Sequence, residues 1–169
     1  MNADEKQEML KMLDTGRDAL TAAVAGMPED MASRSPEAGR WSVLECVEHV
    51  AIAEDYLLNQ ITTAIRADQP LIRKMREAAI RDRGPDRTRR VQSPAEAVPT
   101  GRFRTLAAAL QHFTDKRAQT IRSVETYSDD PRAMRTSHPL MGPVNCYEMF
   151  LLMALHPIRH SKQIEEIRK

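Results

Sequence analysis

The C-terminal stretch NCYEMFLLMALHPIRHSKQIEEIRK, residues 145–169, predicts a long helix. Asn145 and Glu148 match the capping box, in which the cap side chain accepts from the third helical amide and the glutamate reaches back. On a wheel of 100° per residue, one face collects apolar side chains together with both histidines: Met149, Met153, His156, His160, Gln163 and Ile167. We therefore expect both imidazoles to point into the protein.

Pro157 leaves two interpretations of this helix open. A proline inside a helix removes one backbone hydrogen bond and crowds the carbonyl four residues earlier, which costs about 3 kcal/mol. In the first interpretation the helix is continuous but kinked, and the kink sets the angle between His156 and His160. In the second, the helix ends at His156 and restarts at Pro157, a favoured first helical position, so the two rings need not share a face.

Helical periodicity also dominates the rest of the chain. Ser42 and Glu45 in the stretch SVLE form a second capping box, and Trp41 precedes it as a candidate hydrophobic staple. A shorter basic helix is expected over residues 70–82. Long helices with apolar residues every three to four positions are expected over 5–27, 42–66 and 104–127.

These patterns predict an all-α fold, a four-helix bundle, in a single domain over residues 1–169. No segment predicts a convincing strand. Proline-rich stretches at 83–100 and 129–144 are expected to be long loops.

The composition excludes several classes of protein. Of the 169 residues, 41% are hydrophobic and 29% are charged, which excludes a disordered chain and a membrane-spanning one. The start MNADEKQEML lacks the apolar stretch of a secretory signal, and the two cysteines, Cys46 and Cys146, are far apart in sequence. We therefore expect a cytoplasmic protein without disulfides.

Basic residues are concentrated in the middle of the chain, although the net charge is only +1. Such a run is most often a solvated face, and a docking surface for an anionic ligand or an acidic partner is the alternative. The run lacks interleaved aromatic residues, so no nucleic-acid partner is expected. It comprises Arg73, Lys74, Arg76, Arg81, Arg83, Arg87, Arg89 and Arg90.

The spacing of His156 and His160 is that of two imidazoles that reach one metal ion. A third ligand must come from another helix, and His49, at the edge of the apolar face of the second long helix, is the natural candidate. Three neutral imidazoles leave a divalent ion with its full charge and an open coordination position, as in catalytic rather than structural zinc sites.

Plainer interpretations of the same residues stay open. A histidine pair at this spacing also arises by chance, and His49 alone is compatible with a hydrogen-bonded boundary residue. Cys46 is one turn from His49 and could ligate, but a buried cysteine is usually a small hydrophobe. We expect His112 on a solvated face and His138 in a loop.

Two stretches resemble DinB-like proteins. WSVLECVEHVAIAEDYLLNQI, residues 41–61, resembles the family's second helix, and HPLMGPVNCYEMFLLMALHPIRHSKQI, residues 138–164, resembles its closing segment with a histidine pair four residues apart. The resemblance implies a four-helix bundle with crossover connections, often dimeric. It implies a divalent ion, nickel, zinc or iron, held by three histidines, here His49, His156 and His160.

The resemblance also implies an enzymatic function, because some members are transferases or isomerases that use a low-molecular-weight thiol. The leading hypothesis is a metal-dependent thiol S-transferase or hydrolase, with a small-molecule thiol and an electrophile as partners. Tyr56, Gln60 and Gln163 could orient ligands or substrate. The alternatives are a non-catalytic metal-binding or stress-associated bundle, or a dimeric adaptor without metal.

Overall fold

The computed structural model describes all of residues 1–169 and is dominated by four long helices. No helix combines the length and the apolar character needed to cross a bilayer. A 3-10 turn at Ala95–Ala97 lies in the segment between Arg83 and Leu106. In chain order the helices and strands are α1 (Ala3–Val24), α2 (Glu29–Ala32), α3 (Val43–Thr62), β1 (Ile65–Arg66), α4 (Lys74–Arg83), α5 (Leu106–Thr126), β2 (Met134–His138), β3 (Gly142–Asn145) and α6 (Cys146–Ile167).

Capping boxes start three of the long helices. The box predicted at Ser42 is confirmed, since the Ser42 Oγ accepts from the Glu45 amide at 3.2 Å and the Glu45 carboxylate accepts from the Ser42 amide at 2.7 Å. The box predicted at Asn145 is confirmed in the same way. Asn2 forms a third box at the start of α1. Each box satisfies amides that a helix start leaves without partners.

The four long helices form a bundle in which α1 packs on α5 and α6, and α3 packs on the same two helices. Two pairs of long helices that follow each other in the chain, α1 with α3 and α5 with α6, therefore lie diagonally opposite in the bundle. The connection within each pair crosses one end of the bundle. Gly16 lies against the Ala154 carbonyl, and Arg168 donates to the Ala23 carbonyl. Residue numbers thus rise together along α1 and α6, which run parallel.

The core consists of two apolar clusters along the bundle. One lies at the end where α6 begins and includes Met9, Leu57 and Phe150. The other lies where α6 finishes and includes Leu20 and Phe113. The face of α6 that carries His156 and His160 is directed toward α3.

The expectation that no strand forms is wrong. The three strands make a small antiparallel sheet in the order β1-β2-β3, and the hairpin of β2 and β3 occupies most of the predicted loop at 129–144. Gly142 adopts a φ of 65° at the hairpin turn. Pro143 is tolerated because β3 is an edge strand that pairs on one side only. β1 is too short to show the apolar alternation that predicts a strand, and β2 and β3 lack that alternation.

Candidate metal centre

Three histidine side chains converge between α3 and α6. His49 comes from α3, and His156 and His160 come from adjacent turns of α6. The Nε2 atom of His156 lies 3.0 Å from the Nε2 of His49 and 3.0 Å from the Nε2 of His160. One nitrogen from each ring falls within 4.8 Å of the other two. The structure thus brings together all three histidines that the sequence selected.

A backbone carbonyl fixes the orientation of His49. The Nδ1 of His49 lies 2.6 Å from the carbonyl oxygen of Ala97, in the 3-10 turn of the 83–100 segment. A carbonyl oxygen can only accept, so Nδ1 donates and the proton of this neutral ring is on that side. The His49 Nε2 therefore presents a lone pair to the other two rings, as in metal-binding histidines whose other ring nitrogen donates to a backbone carbonyl.

Protons alone cannot satisfy the contacts among the three rings. If the His156 Nε2 carries a proton, its single N–H can donate to only one of the two neighbouring rings. If that nitrogen carries no proton, it can accept from a protonated His160 Nε2, but its lone pair then faces the lone pair of His49. A cation that receives a lone pair from each ring removes this conflict, so the donor set fits a divalent metal ion such as zinc, nickel or iron.

Burial keeps the three rings neutral at physiological pH. His49 and His160 are buried and His156 is half-buried. Burial lowers the pKa of His49, and it lowers the pKa values of His156 and His160 well below the usual histidine range, with the neighbouring imidazoles adding to the effect. Neutral imidazole is the form that binds metal ions.

Helix α6 continues without a break through Pro157, so the interpretation that it ends at His156 is wrong. The carbonyl of Met153, which a residue-157 amide would normally bond, accepts instead from the Nη2 of Arg117 at 2.8 Å. Arg117 on α5 has a fully buried side chain, and its guanidinium also pairs with Glu54 on α3. A charged side chain from a neighbouring helix therefore replaces the hydrogen bond that the proline removes.

A cavity of about 870 Å³ opens beside the three histidines. Tyr56 and Gln163 line it, whereas Gln60 does not and instead accepts from Thr136 in the sheet. His138 also lines the cavity. It lies at the end of β2 rather than in a loop, which corrects that expectation.

His138 shapes the hairpin turn at the rim of the cavity. Its Nδ1 accepts from the amides of Leu140 and Met141 at 3.2 and 3.3 Å. Burial, and then the positive charge of Arg76, lowers the pKa of His138 to about 4. The neutral ring that can accept these two bonds is therefore the stable form at neutral pH.

The first residues of the basic run form ion pairs with other helices, and Arg76 among them also lines the cavity. Arg73 donates to the buried carboxylate of Glu148 at 2.9 Å, and Arg76 lies 3.7 Å from the same carboxylate. Arg81 pairs with Glu8 at 2.9 Å. These three arginines hold α4 against α6 and α1.

The C-terminal half of the run faces the cavity. Arg83, Arg87 and Arg90 line it, and Arg87 pairs with Glu166 at 3.0 Å. The interpretation of the run as a solvated face therefore holds for only part of it. Arg159 on α6 also lines the cavity, and sequence reasoning missed it although it lies between the two histidines.

The remaining candidates lie outside the cluster. Cys46 is buried, and burial raises the pKa of its thiol to about 12, as expected for a structural residue. His112 is not on a fully solvated face, because its Nε2 lies 2.6 Å from Asp55 and its side chain is only 23% exposed. Sequence reasoning missed this pairing because α3 and α5 meet only in the folded bundle.

Comparisons with known proteins agree with this architecture. No curated protein matches the chain. Two similar solved structures each have a TM-score of 0.60 to this chain. TT2238, described as a four-helix bundle protein, is 22% identical and covers 95% of this chain and 98% of its own. YfiT from Bacillus subtilis is 14% identical and covers 99% of this chain and 87% of its own. YfiT is described as a probable metal-dependent hydrolase with an unusual four-helix bundle topology. The family model of the DinB superfamily matches residues 12–164, most of the chain, and the protein therefore belongs to the DinB superfamily.

Proposed function

We propose that the protein is a metal-dependent enzyme that activates a low-molecular-weight thiol for attack on an electrophile. One observation carries the proposal: three neutral imidazoles, from His49, His156 and His160, direct Nε2 atoms toward one another beside a cavity large enough for a small substrate. A divalent ion bound there supplies Lewis acidity, which lowers the pKa of a thiol or water that it binds.

The chain's own residues supply the orientation of this site. Ala97 holds His49 through its Nδ1, so the lone pair of Nε2 is available. Arg117 and Pro157 fix the turn of α6 that carries His156. Tyr56 and Gln163 lie in the cavity wall, where they are available to orient the substrate.

The choice between a thiol and water as nucleophile rests on the acidic residues of the cavity wall. These are Glu96, which is exposed, and Glu166, which pairs with Arg87. Attack by water is usually assisted by a general base, whereas a thiol, with a pKa of about 8.5, ionises readily without one. The description of YfiT favours hydrolysis instead, so hydrolysis is the second candidate.

The proposed transfer forms one bond and breaks one bond. The thiolate sulfur attacks an electrophilic carbon, the bond to the leaving group breaks, and that group departs with its electron pair. The thiol proton passes to solvent. With monochlorobimane as the electrophile, the products are a fluorescent thioether and chloride.

The experiment measures metal content and turnover on protein purified without a histidine tag. We expect about one divalent ion per chain and thioether formation with at least one of several low-molecular-weight thiols. His156→Ala should lose both, and His112→Gln, which retains a donor to Asp55, should lose neither. Turnover that is unchanged in His156→Ala would remove the histidine centre from the reaction.

Parallel measurements separate the alternatives. Release of p-nitrophenol from p-nitrophenyl acetate, dependent on His156 and independent of thiol, would favour the hydrolase. A bound ion that raises the melting temperature, with no turnover of either probe, would favour a non-catalytic metal-binding bundle. Sedimentation velocity of the same samples tests the homodimer that the family resemblance implies.

A further inference from the structure

The cavity beside the histidines carries an excess of positive charge. Its acidic side chains are Glu96 and Glu166 only. Its guanidinium groups belong to Arg40, Arg76, Arg83, Arg87, Arg90 and Arg159. The three neutral imidazoles add no negative charge, so a bound divalent ion would increase the positive potential further.

Half of these arginines are paired with a carboxylate. Arg76 lies 3.7 Å from the carboxylate of Glu148, Arg87 lies 3.0 Å from Glu166, and Arg40 lies 3.8 Å from Glu37. Arg83, Arg90 and Arg159 form no ion pair and still line the cavity.

Arg159 differs from the other two unpaired arginines by its place in the fold. Arg83 and Arg90 are exposed, whereas Arg159 is half-buried. Its one side-chain hydrogen bond goes from Nη2 to the backbone carbonyl of Arg89, at 2.7 Å. Asp86 and Glu166 lie near enough to favour its charge, but no carboxylate forms an ion pair with this partly desolvated guanidinium, and a bound anion would supply that direct partner.

Helix geometry places Arg159 next to the metal centre. It is three residues after His156 and adjacent in sequence to His160, and residues three or four apart share one face of a helix. All three side chains of this turn line the same cavity. An anionic group held by Arg159 would therefore lie in the same cavity as the histidine centre.

We propose that Arg159 is an anion-binding residue that recognises a carboxylate or phosphate group on the substrate. The planar guanidinium matches either group in a bidentate arrangement, and Arg83 and Arg90 at the rim attract the same charge. Apolar wall residues such as Trp41 and Leu152 contact the carbon part of such a molecule. The substrate class is thus a small anionic electrophile or thiol, a conclusion that builds on the proposed function.

The test measures anion binding directly, on chelator-treated full-length protein, so that it does not depend on turnover. Isothermal titration calorimetry with inorganic phosphate and with succinate distinguishes the two anion types, and uncharged succinamide is the blank. A charge-assisted bidentate contact predicts a loss of affinity of about tenfold or more in Arg159→Gln. Arg159→Lys should lose less, because it keeps the charge but not the bidentate geometry.

Arg122→Gln is the matched control. Arg122 is exposed on α5, makes no side-chain ion pair and does not line the cavity, so its removal changes the net charge equally. Affinity in this variant should equal that of the wild type. Equal losses in the two Gln variants, unchanged affinity in Arg159→Gln, or no anion binding by the wild type would each overturn the proposal.

Metal content separates this proposal from the proposed enzyme function. Arg159→Gln keeps all three imidazoles, so it should bind metal as the wild type does. Loss of anion binding with retained metal supports the anion subsite even where no thiol transfer is found. Retained anion binding with lost metal overturns the role of Arg159 and leaves the histidine centre untouched.

Discussion

Arg117→Met should strongly destabilise the bundle, because Arg117 connects three other helices from within the core. Its side chain is 0% exposed. The guanidinium donates to Glu54 at 2.8 and 2.9 Å, to the Leu13 carbonyl at 2.8 Å and to the Met153 carbonyl at 2.8 Å. The substitution keeps a long side chain but removes every donor.

The expected loss follows from the groups left behind. Breaking a buried ion pair from one side costs about 3–5 kcal/mol, because the remaining charge of Glu54 stays buried. Each unsatisfied buried carbonyl adds about 1–3 kcal/mol. The sum is at least about 5 kcal/mol, which is comparable with the whole free energy of unfolding of a typical domain, about 5–15 kcal/mol.

Urea unfolding followed by far-UV circular dichroism at 222 nm measures this loss on chelator-treated protein. Arg122→Met, on the exposed face of the same helix, is the control and should change the free energy of unfolding by no more than about 0.5 kcal/mol. Arg117→Met/Glu54→Gln removes the unpaired carboxylate and should recover part of the stability, which keeps the measurement within range.

Pro157→Ala tests the specific link between Arg117 and the proline. The alanine restores an amide that can bond the Met153 carbonyl, which is already satisfied in the wild type but orphaned once Arg117 is gone. Pro157→Ala should therefore be more favourable in the Arg117→Met/Glu54→Gln background than in the wild type, by about 1 kcal/mol. If the free energies add within about 0.3 kcal/mol, the two residues do not share this carbonyl and the reasoning fails.

Three further predictions concern the metal centre, the hairpin and the contact between α1 and α6. A divalent ion at about 100 times its dissociation constant should raise the free energy of unfolding by about 2.7 kcal/mol in the wild type and not in His160→Ala, measured by thermal unfolding. Burial lowers the pKa of His138 from the ordinary value of 6.5 to about 4 in the folded protein. Between these two pH values the unfolded chain binds a proton at His138 that the folded protein does not, so the contribution of His138 to the free energy of unfolding is complete above pH 6.5 and is lost as the pH falls toward 4. Without metal, the free energy of unfolding of the wild type should fall by roughly 2 kcal/mol more than that of His138→Asn over that range, allowing for partial exposure of the ring. An equal pH dependence of the two free energies in urea unfolding would contradict this. Gly16→Ala would place a Cβ 2.4 Å from the Ala154 carbonyl oxygen, so it should lower the free energy of unfolding by at least about 1–3 kcal/mol in the same urea assay.

Features set by residues close in sequence were the ones that could be predicted. The capping boxes at Ser42 and Asn145 involve residues three apart, and a helix start depends on little else. The shared face of His156 and His160 follows from helical geometry alone. His49 could be named as the candidate third ligand because it lies at the edge of an apolar face, and the family resemblance pointed to the same residue.

Features that depend on contacts between distant segments could not be predicted in the same way. The β2–β3 hairpin has a five-residue strand without apolar alternation, and it is stabilised by β1 and by the bundle against which it packs. The burial of Arg117 contradicts the usual preference of arginine for the surface, and only the position of Glu54 across the bundle accounts for it. The carbonyl of Ala97 reaches His49 from a segment whose sequence indicated only a loop.

The buried ion pair and the histidine cluster depend on the same two helices. Glu54 lies five residues after His49 on α3, and Met153 lies three residues before His156 on α6. Arg117 bonds both Glu54 and Met153, so it limits sliding of α3 along α6 close to the point where the imidazoles meet. A buried pair of this kind contributes little net stability compared with well-packed apolar side chains. We infer that its advantage in this bundle is positional, because the directional bonds of Arg117 to Glu54 and Met153 constrain α3 and α6 close to His49 and His156.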